Sequence, residues 1–204
     1  MQGNLALQFS HLYINIIIMF ETTYLTDQFL IAMPNLSDPK FSKTVTYICM
    51  HDANGAMGIV INRPMDIDLG DVFENMEIEA EDPHAQRLPI FEGGPVQSER
   101  GFVIHQPIGK WDAMLHVGHL GIATSRDIIS SLAKGEGPND VLIALGYSGW
   151  QAGQLEQELA NNSWLNTPAD YNVLFNTPIE HRWEAAAATM GIDIKLISPV
   201  AGNG

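Results

Sequence analysis

The sequence predicts an α+β domain built around a strongly curved, mixed β-sheet. Three observations lead there: short β-branched and aromatic runs bounded by Gly and Pro dominate the first two thirds of the chain, three helical patterns fall in its last part, and one of those helices joins two strands. With 204 residues, 46% of them hydrophobic and 17% charged, the chain carries enough apolar surface for one sizeable core. No tandem period, low-complexity block or Ser/Gly linker divides it.

Residues 1–18 read as an N-terminal extension ahead of a single domain over 19–204. The apolar stretch Leu12 to Phe20 falls well short of the roughly 20 residues that a membrane-spanning helix needs. No Lys or Arg precedes Lys40, so the positive start of a secretory signal is missing. Met19 is then a second candidate initiator, and removal of 1–18 is expected to leave stability nearly unchanged. The competing reading makes Ile16 to Ile18 an additional strand.

Strands are expected at Phe29 to Met33, Thr44 to His51 and Ala56 to Asn62, the last two forming a hairpin about the Asn54-Gly55 turn signal. Asp68 caps a short helix over Leu69 to Met76, and the acidic segment Glu77 to Asp82 reads as a solvated loop. Further strands are expected at Pro89 to Phe91, Gly101 to His105, Met114 to Ile122, Asp140 to Gly146, Val173 to Phe175 and Asp193 to Ile197. Thr124, Ser125 and Asp127 open a helix that buries Ile128, Ile129 and Leu132 and stops at Gly135. A second helix follows Trp150, carries Leu155 and Leu159 on one side, and ends at Asn161 and Asn162. The third has the strongest local signature, with Thr177 as N-cap, Pro178 at the first helical position and Glu180 completing a capping box. Ile179, Trp183, Ala186 or Ala187, and Met190 form its apolar stripe ahead of Gly191.

Charge and cysteine content narrow the function. Lys and Arg total 10 against 24 Asp and Glu, a formal net charge of −14, so the average surface repels phosphate backbones and direct nucleic-acid binding is not expected. The single cysteine, Cys49, excludes an internal disulfide and a cysteine-based zinc site, which fits a reducing cytoplasm. No membrane attachment, metal or cofactor is expected.

The segment Gly146-Tyr147-Ser148-Gly149-Trp150 follows an apolar strand and precedes a helix, the place where an α/β-hydrolase carries its nucleophile. Trp150 stands where that elbow requires glycine, so a serine in a tight turn is the plainer reading. Exposed N–H groups from Gly149 to Gly153 at the start of the next helix remain a candidate anion site. Five arginines occur, and Arg63, Arg100 and Arg126 lie beside turn residues or a helix start, where a guanidinium fork is placed to meet a carboxylate or phosphate. Internal ion pairing is the bland alternative. The expected ligand pocket is therefore lined by Tyr147, Ser148, Gly149 and Trp150, with Arg63, Arg100 or Arg126 nearby. His116 and His119 fall in an apolar strand pattern, where positions three apart face opposite sides, and Gly93-Gly94-Pro95 matches no nucleotide-binding fingerprint.

Several strings are informative together: FLIAMPNLSDPKF (29–41), GAMGIVINRP (55–64), FEGGPVQSERGFVIH (91–105), TSRDI (124–128), GPNDVLIALGYSGWQAGQLEQEL (137–159), NNSWL (161–165) and LFNTPIEHRW (174–183). With them the chain resembles the YqgE/AlgH family of bacterial proteins over about residues 25–200. The resemblance implies an α+β fold whose bifurcated sheet wraps into a pseudo-barrel flanked by helices. For function it implies only a transcriptional-regulator label with no recognised DNA-binding motif. One departure lies at the carboxyl end, where Ala201-Gly202-Asn203-Gly204 replaces the Gly-His-Ala-like tail frequent in that family.

Three function classes compete. A cytoplasmic, non-enzymatic binding or regulatory protein acting through a protein partner or a small anionic ligand is favoured, since no catalytic constellation is legible. Direct transcriptional control lacks a helix-turn-helix, because the helix at 124–134 runs into the strand at 140–146. A small-molecule hydrolase using Ser148 is the third.

Overall fold

The computed structural model describes residues 24–197. The expected extension 1–18 and the alternative strand at Ile16 lie outside the described residues.

The sheet divides on its longest strand, β9, Asp140–Gln151. The first half of β9 runs between β5 (Pro89–Glu92), which is parallel to it, and β6 (Val96–Gln106), which is antiparallel. Its second half exchanges β5 for β3 (Gly55–Val60), with Gly58 opposite Ser148 and Gly55 opposite Gln151. From β3 the sheet continues antiparallel through β2 (Val45–Asp52) and β1 (Gln28–Ala32) to β10 (Trp164–Pro168). From β5 a short arm ends at β4 (Pro64–Asp68). On the other side β6 leads to β8 (Leu120–Ala123) and then to β7 (Met114–Val117) at the edge. The sheet is thus mixed and bifurcated, as expected, and curls into a half-barrel until the β7–β8 turn touches the start of β1. There a Cβ on Gly118 would collide with the Asp27 carboxylate, whose Oδ1 accepts from the Tyr47 hydroxyl at 2.8 Å.

The division of the sheet explains three glycines. Gly93-Gly94-Pro95 carries the chain from β5 on one side of β9 to β6 on the other, directly over the β9 backbone. A Cβ on Gly93 would overlap the Gly146 carbonyl oxygen, and one on Gly94 would overlap the Tyr147 peptide. Backbone crosses backbone here, and no side chain fits between.

Among the described residues four α-helices flank the sheet: α1 (Leu69–Asn75), α2 (Arg126–Ala133), α3 (Gln154–Ala160) and α4 (Arg182–Ala188). Inside the half-barrel Phe29, Tyr47, Ile59, Phe102, Ile104 and Leu142 pack against a plug of Val173, Leu174, Trp183 and Ala186. On the outer face Leu69 and Phe73 of α1 and Ile128 and Leu132 of α2 pack onto Val103 and Ile143. Each such fully buried side chain contributes about 1.5–3 kcal/mol. A third cluster places Leu155 of α3 against Leu30, Ile48, Trp150 and Trp164.

Several expected elements take other forms. Met114 to Ile122 is not one strand but the hairpin β7–β8, turned at Gly118, whose φ is +56°. Val173 to Phe175 belongs to a π-helical turn, Asn172–Asn176, nucleated where Asp170 Oδ1 accepts from Val173 N at 3.0 Å. The Thr177 capping box does not form, because Pro178 is extended (ψ 139°) and the Thr177 hydroxyl donates to Asn172 O at 2.9 Å. A 3-10 turn over Ile179–His181 then leads into α4. The expected strand at Asp193 is a 3-10 turn, Ile194–Leu196, capped by the Asp193 side chain. The strands β4 and β10 carried no recognised sequence signal.

Candidate functional site

The segment expected to turn at 146–150 stays in β9, which corrects the strand-turn-helix reading. Gly146, at φ +73°, shifts the alternation so that Tyr147 faces the half-barrel interior, in edge contact with Phe102 at 5.9 Å, while Ser148 and Trp150 face the opposite side. Trp150 is a core residue rather than a pocket wall, and its indole N–H donates to Glu158 Oε2 at 2.8 Å, an oxygen it shares with Trp164 Nε1 at 2.8 Å. Ser148 is 1% exposed and its hydroxyl has no partner. A serine sealed in mid-sheet, with no imidazole hydrogen-bonded to it, gives nucleophilic catalysis no starting geometry. Gly149 is exposed, and α3 begins only after Gly153, where the Gln154 side chain folds back to accept from Gln151 N at 3.0 Å.

The three arginines do not converge. Arg63 Nη2 donates to Pro39 O at 2.6 Å. Arg100 lies 5.4 Å over the Phe102 ring and shares a groove of about 300 Å³ with Tyr147, Met57 and Leu115. Arg126, at the start of α2, lies on the other face of the sheet and donates from Nη2 to Met76 O at 2.7 Å. None of the three pairs with a carboxylate among the described residues, where Lys195 pairs with Glu184 at 2.8 Å and His51 Nε2 lies 3.0 Å from Glu156 Oε1 while its Nδ1 accepts from Leu25 N.

Arg126 stands on the rim of a cleft of about 570 Å³ between α1 and α2. Its floor is the outer face of the sheet: Gly101 and Val103 of β6, Ala123 of β8, and Ile143 and Leu145 of β9. Ile67, Val72, Met76 and Ile129 form apolar walls, and Asp71, Asn75, Glu99, Ser125 and Arg126 form the polar rim. A capping box at α1 and the hydrogen bonds gathered by one carboxylate at α2 hold the helix starts. Asp68 and Asp71 make a reciprocal capping box at the start of α1. At α2 the Ser125 hydroxyl donates to Asp127, which also accepts from Asp112 N and Ile128 N at 2.9 Å each. Burial opposes the Asp127 charge, but these donors outweigh it and hold the carboxyl below its ordinary range. Gly101 keeps the floor open, since a Cβ built there would meet nothing within 4 Å. An apolar trough of this size with few polar groups at one rim suits a small amphipathic molecule.

A second cavity, of about 620 Å³, lies at the end of the half-barrel against Asp27, Asp140, His119 and Tyr171. The Asp140 carboxylate, hydrogen-bonded to the Tyr171 phenol, raises the phenol's pKa. His105 is buried under Gly121 with Nδ1 3.0 Å from Pro107 O and Nε2 unpartnered, and burial lowers its pKa. His116 lies in β7 and His119 in the turn that follows; among the described residues no group of three or more His, Cys, Asp or Glu is placed to hold a metal ion. Sequence reasoning missed Gly101 and Glu99 as site residues, which no local spacing marks.

A family model described as AlgH-like matches residues 29–195. The chain belongs to the AlgH-like family. A UPF0301 protein of Thioalkalivibrio sulfidiphilus is 55% identical over 186 residues, covering 91% of this chain and 100% of that protein. A UPF0301 protein of Nitrosococcus oceani is 51% identical over 181 residues, covering 88% of this chain and 97% of the relative. The solution structure of AlgH from Pseudomonas aeruginosa superposes with a TM-score of 0.74 at 47% identity, over 90% of this chain and 98% of that one. A Corynebacterium diphtheriae protein shares the fold at 18% identity, with a TM-score of 0.66 over 88% of this chain and 94% of its own. No helix among the described residues of this AlgH-like chain is long and apolar enough to cross a membrane.

Proposed function

We propose that this AlgH-like chain is a cytoplasmic, non-enzymatic binding or regulatory protein that holds a small amphipathic anion in the cleft between α1 and α2. The observation that carries the reading is the apolar trough of about 570 Å³, open over Gly101, with the Arg126 guanidinium on its rim. The apolar body of the ligand lies on Val103, Ile143 and Leu145, and its charged end meets the N–H groups of Arg126 left over from the bond to Met76 O. The capping box of α1 and the hydrogen bonds gathered by Asp127 at the start of α2 fix the walls before the ligand arrives, which limits the ordering cost of binding. Regulation of transcription, where it occurs, runs through a partner that senses the occupied cleft, since the net charge of −14 opposes contact with DNA.

A fluorescence titration with 1-anilinonaphthalene-8-sulfonate, a fused-ring sulfonate of this character, tests the reading. Saturable binding at one site is expected, abolished by Gly101→Leu, whose side chain starts in open space and occupies the trough, and weakened by about tenfold in Arg126→Ala. Equal binding by Gly101→Leu and the parent chain overturns the assignment.

A further inference from the structure

Three strands place one residue each on a single row across the sheet: Gly121 of β8 stands opposite His105 of β6 on one side and opposite His116 of β7 on the other. Phe102 and Ile104 of β6 and Leu120 and Ile122 of β8 face the half-barrel interior, so alternation turns His105, Gly121 and His116 to the outer face, where Val103 and Ala123 lie. Met114, two residues before His116 in β7, shares that face. Because Gly121 has no side chain, the space above it is filled from its flanks. A Cβ there would overlap His105 Nε2 and Cε1 and would stand 3.0 Å from Met114 Sδ. An imidazole nitrogen and a thioether sulfur thus converge on one point, and the Cβ of His116, on the directly opposing residue, is about 5 Å from it.

The bonding of His105 fixes which of its nitrogens is bare. Nδ1 lies 3.0 Å from Pro107 O, a carbonyl that can only accept, so Nδ1 carries the proton and donates. Burial, and a charge on nearby His116, both favour the neutral ring. Nε2 is then a lone pair on a fully buried residue, and among the described residues nothing donates to it. An unanswered lone pair in the interior is costly. Trp111, edge-on to the ring at 6.1 Å, closes one side, but its own buried N–H makes no bond to Nε2. A histidine that donates one N–H to a backbone carbonyl and presents its other nitrogen bare is oriented as a metal ligand is. We propose that His105 Nε2, Met114 Sδ and a ring nitrogen of His116 bind Cu(I) over Gly121. A thioether beside two neutral imidazoles selects a soft monovalent ion, which sets this site apart from the His, Cys and carboxylate groups that hold zinc. His116 is exposed and gives the ion its way in. No residue of the α1–α2 cleft takes part, so the site stands or falls apart from the ligand assignment.

NMR of the full chain, with labelled histidine ring nitrogens and methionine ε-methyl carbons, tests the proposal during anaerobic addition of Cu(I) as its acetonitrile complex. Cu(I) has a filled d shell, so bound signals shift without paramagnetic broadening. The expected result is a saturable movement, in step, of His105 Nε2, one His116 ring nitrogen and the Met114 methyl. Met114→Leu conserves volume and His116→Gln changes an exposed side chain, so the fold survives both. Each is expected to weaken the His105 response by about tenfold or more. Zn(II) at the same concentrations is expected to leave the Met114 methyl unmoved. Copper that leaves His105 or Met114 unmoved, or a Met114→Leu chain whose His105 titrates as in the parent, overturns the site. Zn(II) that moves the Met114 methyl as Cu(I) does overturns the choice of ion.

Discussion

Gly93 lies so close against Gly146 that a Cβ on the first would overlap the carbonyl oxygen of the second. The contact is where the chain passes over β9 between β5 and β6, and it lets one strand take β5 as neighbour along its first half and β3 along its second.

Gly93→Ala is therefore expected to destabilise the fold by about 3 kcal/mol, since the obstacle is backbone that has no rotamer to change. Gly101→Ala, where the added methyl meets open space, is the control and is expected to stay within about 0.5 kcal/mol of the parent. Urea unfolding of the two variants checks the pair.

Ser148 offers a contrasting case. Its hydroxyl is buried without a partner, so Ser148→Ala removes a desolvated polar group at the cost of no hydrogen bond. The variant is expected to equal the parent or exceed it by about 1 kcal/mol. A clear loss of stability in the same urea experiment would mean that the hydroxyl has a partner in solution.

His105 makes stability depend on pH. Burial depresses its pKa in the folded state, whereas in the unfolded chain the imidazole titrates near its ordinary value of about 6.5. Between those two values the unfolded chain holds more protons, so this residue's contribution to stability falls as pH drops through and below about 6.5. Melting curves from neutral to mildly acidic pH are expected to show a shallower decline for His105→Gln than for the parent. Parallel declines would remove His105 from the account.

What could be read from the sequence was what neighbouring residues decide. The β2–β3 hairpin forms about its Asn54-Gly55 signal, and α1 starts at Asp68 because the cap and its partner Asp71 lie within one turn. The readings that failed share a distant cause. Gly146 resembles a turn residue, but its function is to pass beneath Gly94, a contact made by a loop far away in the chain. Thr177 resembles an N-cap, but Asn172 O receives its hydroxyl first. The cleft gathers residues from Ile67 to Leu145 across two helices and four strands, so no local spacing announces it. Of the three arginines singled out, Arg126 reaches the cleft because it opens α2, while Arg100, next to Gly101 on β6, faces the other side of the sheet.

The assignment of the cleft is tested most directly by amide chemical shifts recorded as 1-anilinonaphthalene-8-sulfonate is added to isotope-labelled protein. The account predicts that the perturbed amides cluster at Gly101, Ala123, Arg126 and Leu145, with Gly149 and Gly153 unmoved. Perturbations centred on Gly149 to Gly153, or scattered without reference to the cleft, would contradict it.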